Sequence, residues 1–173
     1  MLNTVYRLTA PKQIEAVSFD EKIDEKSVIV RPTYLSICHA DQRYYTGARD
    51  AGVLRKKLPM ALIHEGVGEV VKDYTGKYKT GERVVIVPNT PTENSEIIQE
   101  NYLPSSRFRS SGFDGFMQEY VFTTADRLVK VLDDVPSNVA AYTEMISVAM
   151  HGISRMERVM NSDTTIFGVW GDG

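Results

Sequence analysis

Short runs of Val, Ile and aromatic residues, divided by short polar connections, limit the folds open to this chain more than any other feature. SVIVRPTYLSI (27–37), GVGEVVKDY (66–74) and GERVVIVP (81–88) carry β-branched side chains that suit a pleated, half-buried surface. Tyr74-Thr75-Gly76-Lys77 is a turn sequence, so the second and third runs are expected to pair. FMQEYVFTT (116–124) and RLVKVL (127–132) extend the pattern and predict a mainly β barrel or sandwich up to about residue 135. Residues 89–115, mixing Pro, Ser, Asn and Gly with few periodic apolar positions, read as an excursion over the surface.

After Pro136 the period changes. Tyr142, Ile146, Ala149, Ile153, Met156 and Met160 share one face of a helix with Ser137 or Asn138 as N-cap, and this stripe is expected to pack in a core. TTIFGVWGDG then reads as a buried-type strand from Thr164 running into a glycine turn. Gly171 and Gly173 open a G-x-G pattern directly after a strand, where glycine lets a dinucleotide pyrophosphate approach a helix N-terminus. An unpaired TTIFGVW edge would favour pairing of two copies, hence an expected homodimer.

Charge excludes some partners. Twenty basic against 23 acidic side chains give a net charge of −3, too little to recruit nucleic acid or an anionic membrane. No apolar run approaches the roughly 18 residues of a membrane span, and MLNTVYRLTAPKQ lacks a signal-peptide core, so a cytoplasmic protein is expected. The single cysteine, Cys38, rules out an internal disulfide and a four-cysteine zinc site.

Three places concentrate chemistry. Cys38-His39-Ala40-Asp41 puts a thiol beside an imidazole and a carboxylate at a strand end; His64-Glu65-Gly66-Val67-Gly68 puts an imidazole and a carboxylate at a strand start. Glu144 stands near the start of the long helix among apolar and small residues. Singly these are a small buried hydrophobe, a His-Glu pair and a solvated first-turn carboxylate. Together, Cys38, His64 and Glu144 make a sensible three-ligand zinc set with a fourth position open, although their spacing alone does not decide it. A thiol hydrolase with Cys38 as nucleophile and His39 or His64 as base is a competing arrangement, as is a metal-free binding module.

ICHADQRYYTG, LIHEGVGEVV, KTGERVVIVP, SSGFDGFMQEYV, YTEMISVAMHG and GVWGDG, in that order along the whole chain, resemble the medium-chain zinc-dependent alcohol and polyol dehydrogenases. The resemblance implies an α+β, mainly β chain: a GroES-like, partly open barrel catalytic domain over 1–137 and an interdomain helix over 138–162. It further implies that 163–173 is the first strand and glycine turn of an incomplete Rossmann domain, with Gly171 and Gly173 on the cofactor and the isolated chain inactive. It makes Cys38 and His64 the first two ligands of one catalytic zinc, Glu65 an adjacent acid able to approach the metal, and Glu144 the third ligand of the polyol branch. Asp41 becomes the carboxylate that orients the site. The implied cofactor is NADPH or NADH. Ala40 stands where relatives carry a Ser or Thr proton relay, a role that His39 or a water would take over. The lobe over 89–111 has no cysteine for a structural zinc.

The loop NTPTENSEIIQENYLPSSRFRSSGFDG and the IFGVWGDG end are most similar to the ribulose-5-phosphate reductase branch. That branch implies reduction of D-ribulose 5-phosphate to D-ribitol 5-phosphate for CDP-ribitol, teichoic acid or capsule synthesis, and a functional link to a ribitol-phosphate cytidylyltransferase. Another polyol or alcohol dehydrogenase is the alternative. Arg43, Tyr44, Arg107 and Arg109, with serines beside the last two, are the expected contacts to a phosphorylated sugar or polyol.

Overall fold

This computed structural model describes residues 1–93, 95–97 and 103–159, the side chains of 158 and 159 excepted. In chain order the elements are β1 (Leu2–Ala10), β2 (Gln13–Asp20), β3 (Ser27–Ser36), α1 (His39–Thr46), α2 (Ala51–Lys57), β4 (Met60–Ala61), β5 (Glu65–Asp73) and β6 (Arg83–Ile86). There follow β7 (Asn89–Thr90), β8 (Arg107–Phe108), β9 (Val121–Thr124), β10 (Leu128–Lys130), α3 (Ser137–Ala140) and α4 (Thr143–Val159). The expected mainly β architecture is observed.

The Val/Ile runs become one antiparallel sheet ordered β10-β6-β5-β3-β9, with Val30 opposite Val70 and Val67 opposite Val85. GERVVIVP is apolar almost without alternation because both faces of this sheet are covered. Val84 and Ile86 point into a cluster with Val28, Val30, Val70 and Phe116, whereas Val85 and Val67 point the other way, against Val131, Ala140 and Ala141. A second sheet, ordered β2-β1-β4, adds Leu8 and Met60 to a third cluster with Tyr44, Leu62 and Ile63. The β1–β2 hairpin was not expected from the sequence, because β2 is mostly solvent-exposed and offers no Val/Ile run.

Residues 116–124, expected as one strand, divide in two. Only Val121–Thr124 joins the sheet, pairing with β3. Residues 115–119 instead form a strap: Gly115, Phe116 and Met117 donate to the carbonyls of Ala61, Ile63 and Leu62, while Tyr6 N donates to Met117 O and Glu119 N to Thr4 O. The strap needs glycine at 115, since a Cβ there would lie 2.2 Å from the Ile63 carbonyl oxygen and 2.4 Å from that of Leu62. Beside it, Asp114 takes the Arg7 guanidinium in a two-pronged contact and the Ala61 amide at 2.8 Å.

The C-terminal helix corrects an expectation. Ser137 begins the short α3 after Pro136 rather than capping one long helix, and α4 starts at Thr143. The stripe expected in a core is open: Tyr142 and Ile146 are 51% exposed and Ile153 55%, and in α4 through residue 157 only Thr143, Glu144 and Gly152 are not exposed. Met160, and the strand and glycine turn expected over 163–173, lie outside the described residues. No described helix is long and apolar enough to cross a membrane.

Two glycine substitutions separate strap packing from helix propensity. Gly115→Ala is expected to cost at least about 1–3 kcal/mol by forcing the strap off residues 62 and 63. Gly152→Ala, whose Cβ meets nothing within 4 Å, should add up to about 1 kcal/mol by helix propensity. Urea midpoints of the two variants check both signs.

Candidate metal centre

Cys38 is the N-cap of α1, and the carboxylate of Asp41, three residues on, turns back to accept the Cys38 amide at 3.1 Å and the Cys38 thiol at 3.0 Å, both on Oδ2. Asp41 is 2% exposed. Its other oxygen accepts the Ile63 amide at 2.9 Å and the Ser110 hydroxyl at 3.1 Å. One buried carboxylate therefore holds the thiol loop, the residue before His64 and the surface excursion.

Both outer donors sit in left-handed backbone, Ile63 at φ 70 and Ser110 at φ 59. For a β-branched residue this region is disfavoured by about 1–2 kcal/mol. The kink at Ile63 is compensated by its bond to Asp41 and by the strap amide of Phe116 on its carbonyl. Its consequence is the direction of the next side chain: His64 Nε2 lies 3.8 Å from Cys38 Sγ and 3.9 Å from Glu65 Oε1. Phe108 of β8 closes the other side of the imidazole, edge-on with ring centres 5.2 Å apart.

Donor atoms of Cys38, His64 and Glu65 all lie within 4.8 Å of one another. His64 Nδ1 and Glu65 Oε2 are buried and have no hydrogen-bond partner among the described residues. A tetrahedral zinc with ordinary Zn–S and Zn–N bonds needs a sulfur–nitrogen separation of about 3.6 Å, so the cysteine and histidine stand close to ligating distance. Thiolate, imidazole and carboxylate are ligands of this metal, and the residues present fit it.

Electrostatics agree. Burial, with Asp41 adding to it, pushes the Cys38 thiol up to about 11, so in the metal-free protein the proton stays on sulfur and points at Asp41. A cation at this place would make the thiolate the favoured form near neutral pH. Glu144, half-buried in the first turn of α4, is raised by burial, with Glu65 pushing the same way and His64 opposing. It therefore borders the cluster without belonging to the three atoms that converge.

The remaining expected site residues lie elsewhere. His39 is exposed at the first position of α1, one residue from the thiol. Arg43 is exposed and lies 3.4 Å from the Ala48 carbonyl. Tyr44, expected at the substrate, is 5% exposed in the core cluster, with the Arg49 guanidinium 4.7 Å from its ring centre. Arg107 precedes Phe108 in β8 and by strand alternation points to the opposite face from it, while Arg109, in the turn after the strand, lines the same cavity as Arg107. Gly171 and Gly173 lie outside the described residues. Sequence reasoning missed Ile63, Phe108 and Ser110 as supports; only the R-F-R alternation gave any signal for one of them.

Residues 24–133 match the family model of the alcohol dehydrogenase GroES-like domain. Along 173 residues the chain is 57% identical to a ribulose-5-phosphate reductase of Bacillus spizizenii and 55% identical to ribulose-5-phosphate reductase 1 of Staphylococcus aureus. It covers 100% of itself and 51% of each, so the chain spans about half the length of the curated relatives it matches. Among solved structures, S. aureus TarJ in complex with NADPH is similar at a TM-score of 0.76 and 45% identity, covering 100% of this chain and 47% of that one. L-idonate 5-dehydrogenase of Escherichia coli shares the fold at a TM-score of 0.79 and 22% identity, over 90% of this chain and 47% of that one.

Two measurements address the site. Asp41→Asn should weaken zinc binding by about 10- to 100-fold in a competition titration, since the carboxylate fixes the thiol loop and the approach of His64. In the metal-free protein the neutral thiol is favoured by folding, against an ordinary value of 9.0. Its contribution is therefore complete below pH 9 and lost as the pH rises through about 11. Melting temperatures of Cys38→Ser should fall less than those of the parent over that interval.

Proposed function

The chain belongs to the alcohol dehydrogenase GroES-like domain family, and from that premise we propose that it is the metal-binding catalytic part of an NADP(H)-dependent zinc oxidoreductase. The substrate would be D-ribulose 5-phosphate, reduced at its ketone to D-ribitol 5-phosphate. The convergence of Cys38, His64 and Glu65 on one point carries the catalytic side of this reading. The names of the similar proteins, ribulose-5-phosphate reductases and an NADPH complex of TarJ, support the substrate and the cofactor.

Cys38, His64 and Glu65 would hold the zinc, with Glu144 at the border as an exchangeable fourth donor. When bound, the metal supplies Lewis-acid polarisation of the substrate carbonyl, and the nicotinamide supplies the hydride. This chain's own residues set the geometry. Asp41 fixes the thiol and, through Ile63, the imidazole, while Phe108 restricts rotation of the His64 ring. Glu65, 2% exposed, places a carboxylate oxygen 3.9 Å from the imidazole Nε2, where a shared metal ion would find both donors. Ala40 has no hydroxyl to pass a proton, and the exposed imidazole of His39 is the neighbouring group on α1 able to exchange one with solvent.

Metal content by mass spectrometry is the direct test on this chain: about one zinc is expected, lost in His64→Ala. In a protein that carries this chain at the length of its relatives, His64→Ala should lower ribulose-5-phosphate-dependent NADPH oxidation by about a thousandfold or more. A metal-free protein, or turnover surviving His64→Ala, would overturn the reading.

A further inference from the structure

Phe108 packs against His64, and beside β8 lies a half-open cavity of about 400 Å3 whose walls include Arg7, Arg107, Arg109 and Phe113. We propose that this cavity is an anion site, separate from the metal centre, that takes the phosphate dianion of a small phosphorylated metabolite or inorganic phosphate. It goes beyond the proposed function and does not rest on it.

The charges in the cavity are unevenly spent. Arg7 is held through Nε and Nη2 on Asp114, whose carboxylate also accepts the Ala61 amide. Arg107 makes no hydrogen bond or ion pair among the described residues, and its guanidinium lies 4.3 Å from the centre of the Phe113 ring. Arg109 lies 5.4 Å from the same ring centre. Its two terminal nitrogens donate only to main-chain oxygens, to Phe122 O at 2.7 Å and to Asp114 O at 3.3 Å. Its Nε is buried and has no partner among the described residues. Two like charges thus flank one aromatic ring, one of them enclosed by protein without a carboxylate of its own.

Such an arrangement costs free energy unless an anion completes it. Burial is the larger cause and Arg107 a further one in pulling the Arg109 guanidinium down to about 10, while Asp114 and Glu21 oppose. Glu21 also lines the cavity, so three guanidinium groups face two carboxylates, one of them already committed to Arg7. Planar guanidinium forks suit a tetrahedral oxyanion, and the volume lies at the small end for a metabolite site, large enough for more than bare phosphate. Arginines 107 and 109, which the sequence suggested for a sugar phosphate, stand together at this cavity.

Titration of the 173-residue chain with inorganic phosphate and, in a second arm, glycerol 3-phosphate, followed by calorimetry in chloride buffer, tests this. Saturable binding is expected, weakened at least about tenfold by Arg107→Ala, a surface change that should leave folding intact. Glu21→Gln should tighten binding severalfold by removing an opposing charge, a gain that a merely structural role would not give. Tighter binding of glycerol 3-phosphate than of inorganic phosphate would identify a phosphorylated metabolite as the occupant, and equal binding the free ion. His64→Ala should bind phosphate as the parent does. No saturable binding, an unchanged Arg107→Ala, or loss in His64→Ala, which would put the anion at the metal centre, would each overturn the proposal.

Discussion

Four donors on the carboxylate of Asp41 organise everything around the metal centre. A carboxylate at 2% exposure is costly unless its lone pairs are used, and here they are used by the Cys38 amide and thiol, the Ile63 amide and the Ser110 hydroxyl. Those donors come from three segments far apart in sequence. Satisfying one buried carboxyl group therefore fixes where the thiol loop, the β4–β5 connection and the surface excursion meet. The left-handed backbone at Ile63 and Ser110 follows from the same constraint, since each residue turns to present its donor to Asp41.

Around that hub the barrel supplies stiffness and the excursion supplies specificity of placement. The strap 115–119 is bonded on one side to residues 61–63 and on the other to β1, so the residue before His64 is fixed by main-chain hydrogen bonds as well as by Asp41. The excursion has no cysteine and no structural metal site among its described residues, yet it reaches the centre twice, with Phe108 on the imidazole and Ser110 on the aspartate. Alternation in β8 then carries Arg107 away from the centre, and the turn after it places Arg109 beside the same cavity. A single short strand thus separates an aromatic contact to a metal ligand from a cationic cavity.

Much of the fold was legible because burial on both faces of a sheet leaves a direct mark on composition. GVGEVVKDY and GERVVIVP could hardly be anything but inner strands, and they are β5 and β6. The β1–β2 hairpin left no such mark, since an outer strand such as QIEAVSFD is held by main-chain pairing rather than by a run of buried side chains. Helix α4 misled for the opposite reason: its apolar stripe is real, but periodicity reports that a face is apolar and not what covers it. The split of FMQEYVFTT into strap and strand depended on hydrogen-bond partners more than fifty residues away, which no local pattern contains.

By itself the sequence determined the strand blocks and the chemistry on offer: one thiol, an imidazole followed by a carboxylate, a second carboxylate on the helix, and arginines in the excursion. Residue type is enough for that, because ligand softness and β-propensity are properties of side chains. Only the tertiary structure decided that Glu65 closes on the thiol and imidazole while Glu144 borders them, that Tyr44 is core, and that Arg107 and Arg109 face a cavity of their own. Those outcomes turn on directions: a left-handed kink at Ile63, an alternation in β8, a buried carboxylate collecting distant donors. Direction is set by the packing of segments remote in the chain, and it is written in no single stretch of it.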